Sequence, residues 1–283
     1  MTATPDPCEP VEVTAADGAS FRVYPHGGHV AGWVPAGGTD RLWCSRDTGC
    51  GPGTAIRGGV PIIWPQFSDR GDGPRHGVAR DRAWDLLEVG RTADGAAHAR
   101  LRLVCGAGDT PLGHAFTLEL DGEAEGSSLV LTLVARNDGD TPLTTTAAFH
   151  TYLRVSSTAT TAVVGLDGML ARPNGGGAPW HVTGPLDVVG PIDVAVEGVP
   201  AGDDGVVVVD DGSGDAVSLT ADGVDSRVVW NPGPGKAPAD VHPGGEGEFV
   251  CVEPALLEPR TLAPGGVWRA RQVLVAGRSA SYR

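Results

Sequence analysis

Residues 116–121 read FTLELD, a stretch in which apolar and polar side chains alternate without interruption. A period of two is typical of a β-strand that has one face in a core and the other toward solvent. Residues 100–103 (RLRL) alternate in the same way, and residues 129–134 (LVLTLV) form a more apolar stretch. This part of the chain is therefore predicted to be built from β-strands.

Short apolar segments of the same kind recur along the rest of the chain. They are residues 206–209, 217–219, 227–230, 249–252 and 273–275. Asp-Gly pairs, which favour tight turns, stand at 121–122, 138–139, 167–168 and 222–223. No helical period is sustained beyond a turn or two. Many short strands separated by turns predict an all-β fold, a large antiparallel β-sandwich.

The whole chain is expected to form one domain, because no low-complexity linker and no internal repeat divides it. We predict a single β-sandwich over residues 1–283, with residues 1–10 and 277–283 at its periphery. Two loops rich in small residues, 172–179 and 236–247, would project from the sheets. Loops on a rigid sheet are common places for function.

Acidic residues outnumber basic ones by 35 to 21, which gives a formal net charge of −14. This charge disfavours nucleic acid and anionic membranes as partners. No apolar run reaches the ~18 residues of a membrane-spanning helix. The first ten residues lack the basic and apolar regions of a secretory signal, so we expect a cytoplasmic protein. An anionic ligand would need a local cluster of positive charge.

The five cysteines, at positions 8, 44, 50, 105 and 251, are odd in number and contain no C-x-x-C pair. We therefore expect reduced thiols, and neither a disulfide framework nor a zinc site.

Two titratable residues lie in strongly apolar surroundings. His150 stands within AFHTYL (148–153), where it is either a core residue or a proton donor and acceptor working near neutral pH. Glu253 follows the apolar strand FVCV and precedes Pro254. If the strand continues, the carboxylate is desolvated and becomes a better base; if the strand ends there, the carboxylate points to water. The residues alone leave these alternatives open.

Two glycine-containing segments carry the other candidates. RGGVPIIWPQF (57–67) includes Arg57 and Gln66, and RHGVAR (75–80) includes His76 and Arg80. Taken singly, each of these residues is equally compatible with an ordinary loop position. His76 and His150 do not have the spacing of metal ligands on one element, so no metal site is expected.

Five motifs in order give the chain a resemblance to a known family. RGGVPIIWPQF (57–67), HGVAR (76–80), FHTYLRV (149–155), VVWNPG (228–233) and FVCVEPA (249–255) together resemble the hexose-6-phosphate mutarotase (glucose-6-phosphate 1-epimerase) branch of the aldose 1-epimerase family. The resemblance extends over roughly residues 11–275. It implies a large antiparallel β-sandwich of the galactose mutarotase type, in agreement with the strand pattern.

The resemblance also implies an activity, the interconversion of α and β sugar anomers by opening and reclosing the ring. It places the acid at His150 and the base at Glu253, a pair of groups able to exchange protons with the ring oxygen and the C1 hydroxyl. His76 would hydrogen-bond the sugar near its ring oxygen or its C1 side. The reaction needs no cofactor and no metal.

The substrate implied by the resemblance is a hexose 6-phosphate. Arg57 and Arg80 would contact its phosphate, because guanidinium groups match phosphate oxygens. Asp193 would contact sugar hydroxyls, and Gln66 and Trp230 are expected to line the pocket. No other partner is expected, and we predict a monomer.

Three alternatives remain at this point. The enzyme could act on an unphosphorylated aldose, or the sandwich could bind carbohydrate without turning it over. A glycosidase would need two carboxylates across one bond, and Glu253 is the only strong candidate, so this alternative ranks last.

Overall fold

Antiparallel strands account for most of the regular structure in the computed structural model, which describes residues 6–198 and 205–282. The strands are, in chain order, β1 (Val11–Thr14), β2 (Ser20–Tyr24), β3 (His29–Val34), β4 (Ile62–Ile63), β5 (Asp85–Arg91), β6 (Ala97–Cys105), β7 (Phe116–Glu125), β8 (Ser128–Asn137), β9 (Leu143–Phe149), β10 (Tyr152–Arg154), β11 (Thr161–Val164), β12 (Leu170–Pro173), β13 (Trp180–His181), β14 (Leu186–Asp187), β15 (Ile192–Glu197), β16 (Val206–Asp210), β17 (Asp215–Asp222), β18 (Ser226–Asn231), β19 (Phe249–Leu262) and β20 (Val267–Arg278). Every strand predicted from the sequence lies inside one of these.

The helical structure of the described residues is confined to short 3-10 turns. These are Ala79–Asp81, Ala107–Asp109, Thr158–Thr160, Gly245–Gly247 and Ser279–Tyr282. Across residues 6–198 and 205–282, no helix has the length and apolar character needed to cross a bilayer.

The strands form two large sheets and one small one. The eight-stranded sheet has the order β13-β12-β15-β18-β19-β9-β4, with β10 also paired to β19. The nine-stranded sheet has the order β14-β11-β16-β17-β20-β8-β7-β6-β5, and β1, β2 and β3 form the small sheet. The main apolar core joins Val229 and Val252 of the eight-stranded sheet to Leu120, Leu131 and Trp268 of the nine-stranded sheet. The predicted all-β sandwich is confirmed.

The period of two explains how the long strands bury one face. In β7, Phe116, Leu118 and Leu120 are buried, while the intervening polar residues are only partly so. The predicted turn at Asp121-Gly122 is wrong, because β7 continues through both residues. Gly122 is the next inward position, and a side chain there would press against Phe21 of the small sheet.

One prediction about the cysteines is also wrong. Cys8 and Cys50 form a disulfide between residues 42 positions apart. Their spacing carries no motif, and the pairing arises because the N-terminal segment folds back so that Pro7 accepts a backbone hydrogen bond from His26. Cys44, Cys105 and Cys251 are free, as predicted.

The pairing of β19 with its neighbours fixes the position of the two titratable residues in the apolar segments. Ala148 of β9 lies opposite Ala255, and Tyr152 of β10 lies opposite Cys251. Two residues from either pair along each strand, the same register places His150 opposite Glu253. Because cross-strand partners point to the same face of a sheet, this register brings the two side chains together.

β19 does not end at Glu253, so the interpretation in which this carboxylate points to water is wrong. Val252 donates its backbone N–H to Thr151, and the nitrogen of Pro254 lies on the same side of the strand, since alternate residues share a side. That side faces the break between β9 and β10. A proline, which has no N–H, is tolerated there because no ladder bond is required.

Reduction of the Cys8–Cys50 disulfide is expected to lower the free energy of unfolding by about 2–4 kcal/mol, because the bond restricts the unfolded chain. Urea unfolding of oxidised and reduced protein, both with a metal chelator present, measures the difference. Cys50→Ser should unfold at the same urea concentration in both conditions. Equal midpoints for oxidised and reduced wild-type protein would contradict the expectation.

Candidate active site

His150 and Glu253 lie at the floor of an open pocket of about 620 Å³. The eight-stranded sheet supplies the floor, and loops around it supply the rim. The pocket is lined by Arg57, Phe67, Ser68, Asp69, Arg70, Arg75, His76, Arg80, His150, Asn174, Asp193, Val228, Trp230, Pro238 and Glu253. The structure therefore brings together seven of the eight predicted site residues, from segments that are far apart in the chain.

The two groups at the floor face each other closely. His150 Nε2 lies 3.4 Å from Glu253 Oε1, and the side chains are only 9% and 2% exposed. Among the residues that the structure describes, neither His150 Nδ1 nor Glu253 Oε2, both buried, has a hydrogen-bond partner. Polar atoms left unpaired in a buried site cost stability, so this arrangement favours a bound ligand that would pair with them.

Burial acts on both groups in the direction that removes their charge. It raises the pKa of Glu253 well above its usual range, and the charge of Asp193 adds to this effect. It lowers the pKa of His150 well below its usual range, helped by His76, Arg57 and Arg80. A neutral imidazole beside a protonated carboxyl is thus favoured without substrate, so the carboxyl holds one acidic proton and the ring has one N–H donor and one acceptor nitrogen.

Aromatic rings hold the imidazole of His150 in place. Tyr152 stacks on it with ring centroids 4.8 Å apart and planes 10° from parallel, and Trp230 contacts it edge-on at 5.9 Å. Both partners come from neighbouring positions of the same sheet. Because the sheet fixes these rings, the imidazole has little freedom to leave Glu253.

His76 sits above the pair in a left-handed backbone conformation, with φ of 62°. Its N–H donates to Ser68 O, and Ser68 returns its own N–H to His76 Nδ1 at 3.3 Å. Gly77, which follows, cannot be replaced, since a Cβ there would lie 2.0 Å from Trp64 O. These contacts fix the ring orientation.

The environment of His76 makes it a neutral hydrogen-bond donor. Burial, followed by the charges of Arg80, Arg75 and Arg57, lowers its pKa to about 3. Because Nδ1 accepts a hydrogen bond, the proton of the neutral ring is on Nε2. That N–H is suited to a sugar oxygen.

Arg57 is held in position by two partners. Its Nε donates to Asp240 at 3.0 Å, and its Nη1 donates to the Tyr152 hydroxyl at 2.8 Å. Arg80 has no carboxylate partner within the described part of the chain and donates only a long hydrogen bond, 3.4 Å, to Arg75 O. A second cavity of about 270 Å³ shares Arg57 and Arg80 with the main pocket. The two guanidinium groups thus form a positive patch beside the acid–base pair.

Asp193 lies on the opposite rim, on β15. Asn174, from the predicted loop that follows β12, donates its Nδ2 to Asp193 Oδ1 at 2.6 Å, and both residues line the pocket. Together they offer a carboxylate and an amide to hydroxyl groups.

Gln66 does not line the pocket, contrary to the sequence-based expectation. Its amide donates to Ser68 O at 2.9 Å and to Gly73 O, and it accepts from Gly73 N at 2.8 Å. A loop that reverses direction leaves backbone groups unpaired, and the buried amide satisfies them. Gln66 therefore shapes the loop that carries Ser68 and His76.

Several pocket residues were missed from the sequence. Arg70, Arg75 and Asn174 lie in loops, where no periodicity marks the inward side. Tyr152 follows His150 by two positions, and a period of two would have placed both on one face of a strand. The same signal was available for Val228, which lines the pocket two positions before Trp230 in β18.

A metal could be held at the floor only at a cost. His150, Cys251 and Glu253 have ligand atoms within 4.8 Å of one another. Burial, with the charge of Glu253, raises the pKa of Cys251 well above its usual range. A thiol that keeps its proton is a poor metal ligand, so this cluster is better suited to proton transfer.

A β-sandwich with a buried proton-sharing pair under a rim of hydroxyl-binding and cationic groups is the arrangement of an enzyme that moves protons on a polyhydroxy substrate. Residues 10–275 match the family model described as Aldose 1-epimerase. The chain belongs to the aldose 1-epimerase family. Its activity is that of an epimerase, an isomerase, and its substrate is a sugar.

Individual relatives agree with this assignment. A protein of Cenchrus ciliaris, provisionally named glucose-6-phosphate 1-epimerase, is 32% identical over 98% of this chain and 87% of its own length. A protein of Escherichia coli K12 with the same provisional name is 31% identical over 84% of this chain and 79% of its own. The crystal structure of a provisionally assigned mutarotase of Salmonella typhimurium superposes with a TM-score of 0.79 at 25% identity, over 92% of this chain and 88% of that one. The predicted galactose mutarotase type of fold is confirmed.

Glu253→Gln is expected to stabilise the fold at pH 8, because an amide does not have to take up a proton on burial, and each unit by which the carboxyl pKa is raised is equivalent to about 1.4 kcal/mol. The raised pKa of Glu253 fixes the sign of the pH dependence. Above the usual glutamate pKa the unfolded chain releases a proton that the folded protein retains, so wild-type stability falls relative to the variant as pH rises.

Urea unfolding at pH 5 and pH 8 measures this difference. Glu258→Gln is the matched control, since Glu258 is exposed on the same strand. A difference between Glu253→Gln and wild type that does not grow with pH would show that the carboxyl is not desolvated.

Proposed function

We propose that this enzyme interconverts the α and β anomers of a hexose 6-phosphate, with glucose 6-phosphate as its substrate. The observation that carries the proposal is the buried His150–Glu253 pair, whose Nε2 and Oε1 atoms are 3.4 Å apart. Arg57 and Arg80 line the same pocket. Arg57 is paired with Asp240 through Nε alone, and Arg80 has no carboxylate partner among the described residues. Ring opening needs a donor and an acceptor at neighbouring oxygens, and the phosphate needs cations.

The pair acts at the two oxygens of the hemiacetal. Glu253 takes the proton of the C1 hydroxyl while His150 gives a proton to the ring oxygen, and the C1–O5 bond breaks. The C1–C2 bond of the open aldehyde rotates, and the two roles reverse as the ring recloses on the other face. Each group contributes about 10²–10⁴-fold to the rate.

Substrate phosphate supplies the reason for the proton to lie on His150 at the start of the reaction. Arg57 and Arg80 both lower the pKa of His150. A phosphate dianion that neutralises these arginines opposes their effect and favours protonation of the imidazole. The proton comes from Glu253, whose Oε1 lies 3.4 Å from His150 Nε2, and the transfer leaves an imidazolium beside a carboxylate.

The remaining contacts suit the rest of the sugar. The His76 Nε2–H faces the ring oxygen or O1, and Asp193 with Asn174 takes the hydroxyls of the opposite edge. Trp230 offers an aromatic face to the apolar side of a pyranose. None of these residues needs a cofactor for its role.

Arg57 is prepared for the phosphate by the contacts that hold it. Asp240 and the Tyr152 hydroxyl occupy its Nε and Nη1, and in the described structure Nη2 has no hydrogen bond. A pre-oriented guanidinium loses little freedom on binding. Arg80 completes the site and offsets the net charge of −14 locally.

The function is tested by NMR magnetisation transfer between the anomers of ¹³C1-labelled glucose 6-phosphate. Wild-type enzyme should exchange the anomers faster than buffer. Glu253→Gln and His150→Gln should each lower the enzymatic rate by about 10²–10⁴-fold, and Glu258→Gln should leave it unchanged. If wild-type enzyme exchanges the anomers of several hexose phosphates no faster than buffer does, the proposed activity is contradicted, and the protein would only bind sugar.

The arginines are expected to determine the preference for phosphate. Arg80→Ala should raise KM for glucose 6-phosphate by roughly 10–100-fold, the value of a hydrogen bond to a charged group, and change the KM for glucose little. Arg260→Ala, an exposed arginine on β19, is the control. Equal changes for both sugars would favour an aldose 1-epimerase that does not require phosphate.

A further inference from the structure

Three residues that the proposed reaction does not use converge on the far side of the loop that leads to Arg57. Cys8 lies in the N-terminal segment, His26 in the turn between β2 and β3, and Cys50 in the loop before β4. Their potential ligand atoms, two sulfurs and a ring nitrogen, all lie within 4.8 Å of one another. None of the three lines the active-site pocket.

The hydrogen bond of His26 fixes its ring in the form that a metal requires. Nε2 lies 2.7 Å from Thr54 O, and a carbonyl oxygen only accepts, so Nε2 carries the hydrogen. The lone pair is therefore on Nδ1, which has no hydrogen bond to any residue the structure describes. Metal-binding histidines usually have this arrangement, with the second nitrogen donating to a carbonyl or carboxylate.

The three residues also differ in exposure in a way that suits a site open on one side. His26 is 2% exposed, Cys8 is half-buried, and Cys50 is exposed. An ion can therefore enter from the side of Cys50, and water can complete its coordination. The neighbouring Cys44 is unsuited to the same role, because burial, followed by the charge of Asp40, raises its pKa to about 12.

We propose that Cys8, His26 and Cys50 form a redox-gated binding site for a thiophilic divalent cation such as Zn²⁺. Two thiolates and one imidazole, with a water molecule as the fourth ligand, make a tetrahedral set that zinc accepts. In such a set the ligand atoms are about 3.5–3.8 Å apart, given metal–ligand bonds of about 2.0–2.3 Å. The two sulfurs are bonded to each other in the disulfide, so after reduction they must move apart to reach that separation, and the exposed position of Cys50 leaves room for this movement.

The disulfide and the metal site are alternative states of the same two cysteines. A dithiol or phosphine reductant supplies two electrons, the S–S bond breaks, and two protons give two thiols. Binding of the cation displaces those two protons and leaves two thiolates as ligands. A two-electron oxidant, such as a peroxide or a low-molecular-weight disulfide, converts both thiolates to the disulfide, takes up the two electrons and releases the ion.

Either state cross-links the N-terminal segment to the loop of residues 45–57. Within this loop Thr48 Oγ1 accepts from Arg57 N at 2.6 Å, and Thr54 holds His26. The loss of stability on reduction should therefore be reversed by the cation. This reversal gives a readout that does not depend on catalytic activity.

The test is titration of the reduced, metal-free protein with Co²⁺ and then Zn²⁺. The protein is reduced with a phosphine, which is removed under anaerobic conditions before the metal is added. We expect one equivalent of Co²⁺ to give thiolate-to-cobalt charge-transfer absorption, Zn²⁺ to displace it, and the midpoint of urea unfolding to rise toward that of the oxidised protein. Oxidised protein should bind neither ion at this site.

Variants locate the site. Cys50→Ser and His26→Ala should each weaken binding by more than about tenfold, and Cys8→Ser serves if His26→Ala does not fold. Cys44→Ser and Cys251→Ser are matched controls that should bind as wild type. The proposal is overturned if reduced wild-type protein binds no cobalt, if Cys50→Ser binds normally, if only Cys251→Ser loses binding, or if the disulfide resists reduction.

Discussion

The register of β9 and β10 against β19 is the constraint on which the site depends. Because Ala148 lies opposite Ala255 and Tyr152 opposite Cys251, the break between β9 and β10 falls where His150 faces Glu253. A shift of one residue would turn the two side chains to opposite faces of the sheet. The chemistry of the site is thus determined by backbone pairing before any side chain contacts a ligand.

Desolvation then gives this pair its properties. A carboxyl and an imidazole in water would form two independently charged groups, whereas burial favours their neutral forms. The core between the sheets offsets the cost of this arrangement, as does the cluster of aromatic rings formed by Trp43, Tyr152 and Phe249. Tyr152 serves both purposes, since its ring packs against His150 and its hydroxyl holds Arg57. Rigidity at the acid–base pair and orientation of the cation are therefore coupled through one side chain.

The sequence predicted the fold well because a period of two is a local property. The alternation within one segment predicts which face of that strand is buried, and FTLELD predicts the same face whether or not its partner strand is known. The Asp121-Gly122 turn failed because Gly122 is small for a packing reason, the approach of Phe21, which is invisible along the chain. The prediction of reduced thiols failed at Cys8 and Cys50 for a similar reason, since nothing in the sequence near either residue shows that they meet.

Part of the candidate site could be predicted from the sequence. His150 and Glu253 could be named because their neighbours are apolar, whereas His76 could be named only through the motif that carries the resemblance. Gln66 was placed in the pocket because it stands beside such residues, although its amide is used by the backbone of its own loop. Arg70, Arg75 and Asn174 could not be found, because the side of a loop that faces a pocket depends on how the loop folds over the sheet.

The most direct measurement of the central claim is the protonation state of the two groups in the empty enzyme. NMR of protein labelled with ¹⁵N in histidine and ¹³C in the glutamate side chain, with His150 and Glu253 assigned by substitution, reports both at neutral pH. A pair sharing one desolvated proton predicts a neutral His150 ring and a protonated Glu253 carboxyl. An imidazolium beside an ionised carboxylate, each titrating near its ordinary pKa, would contradict the account.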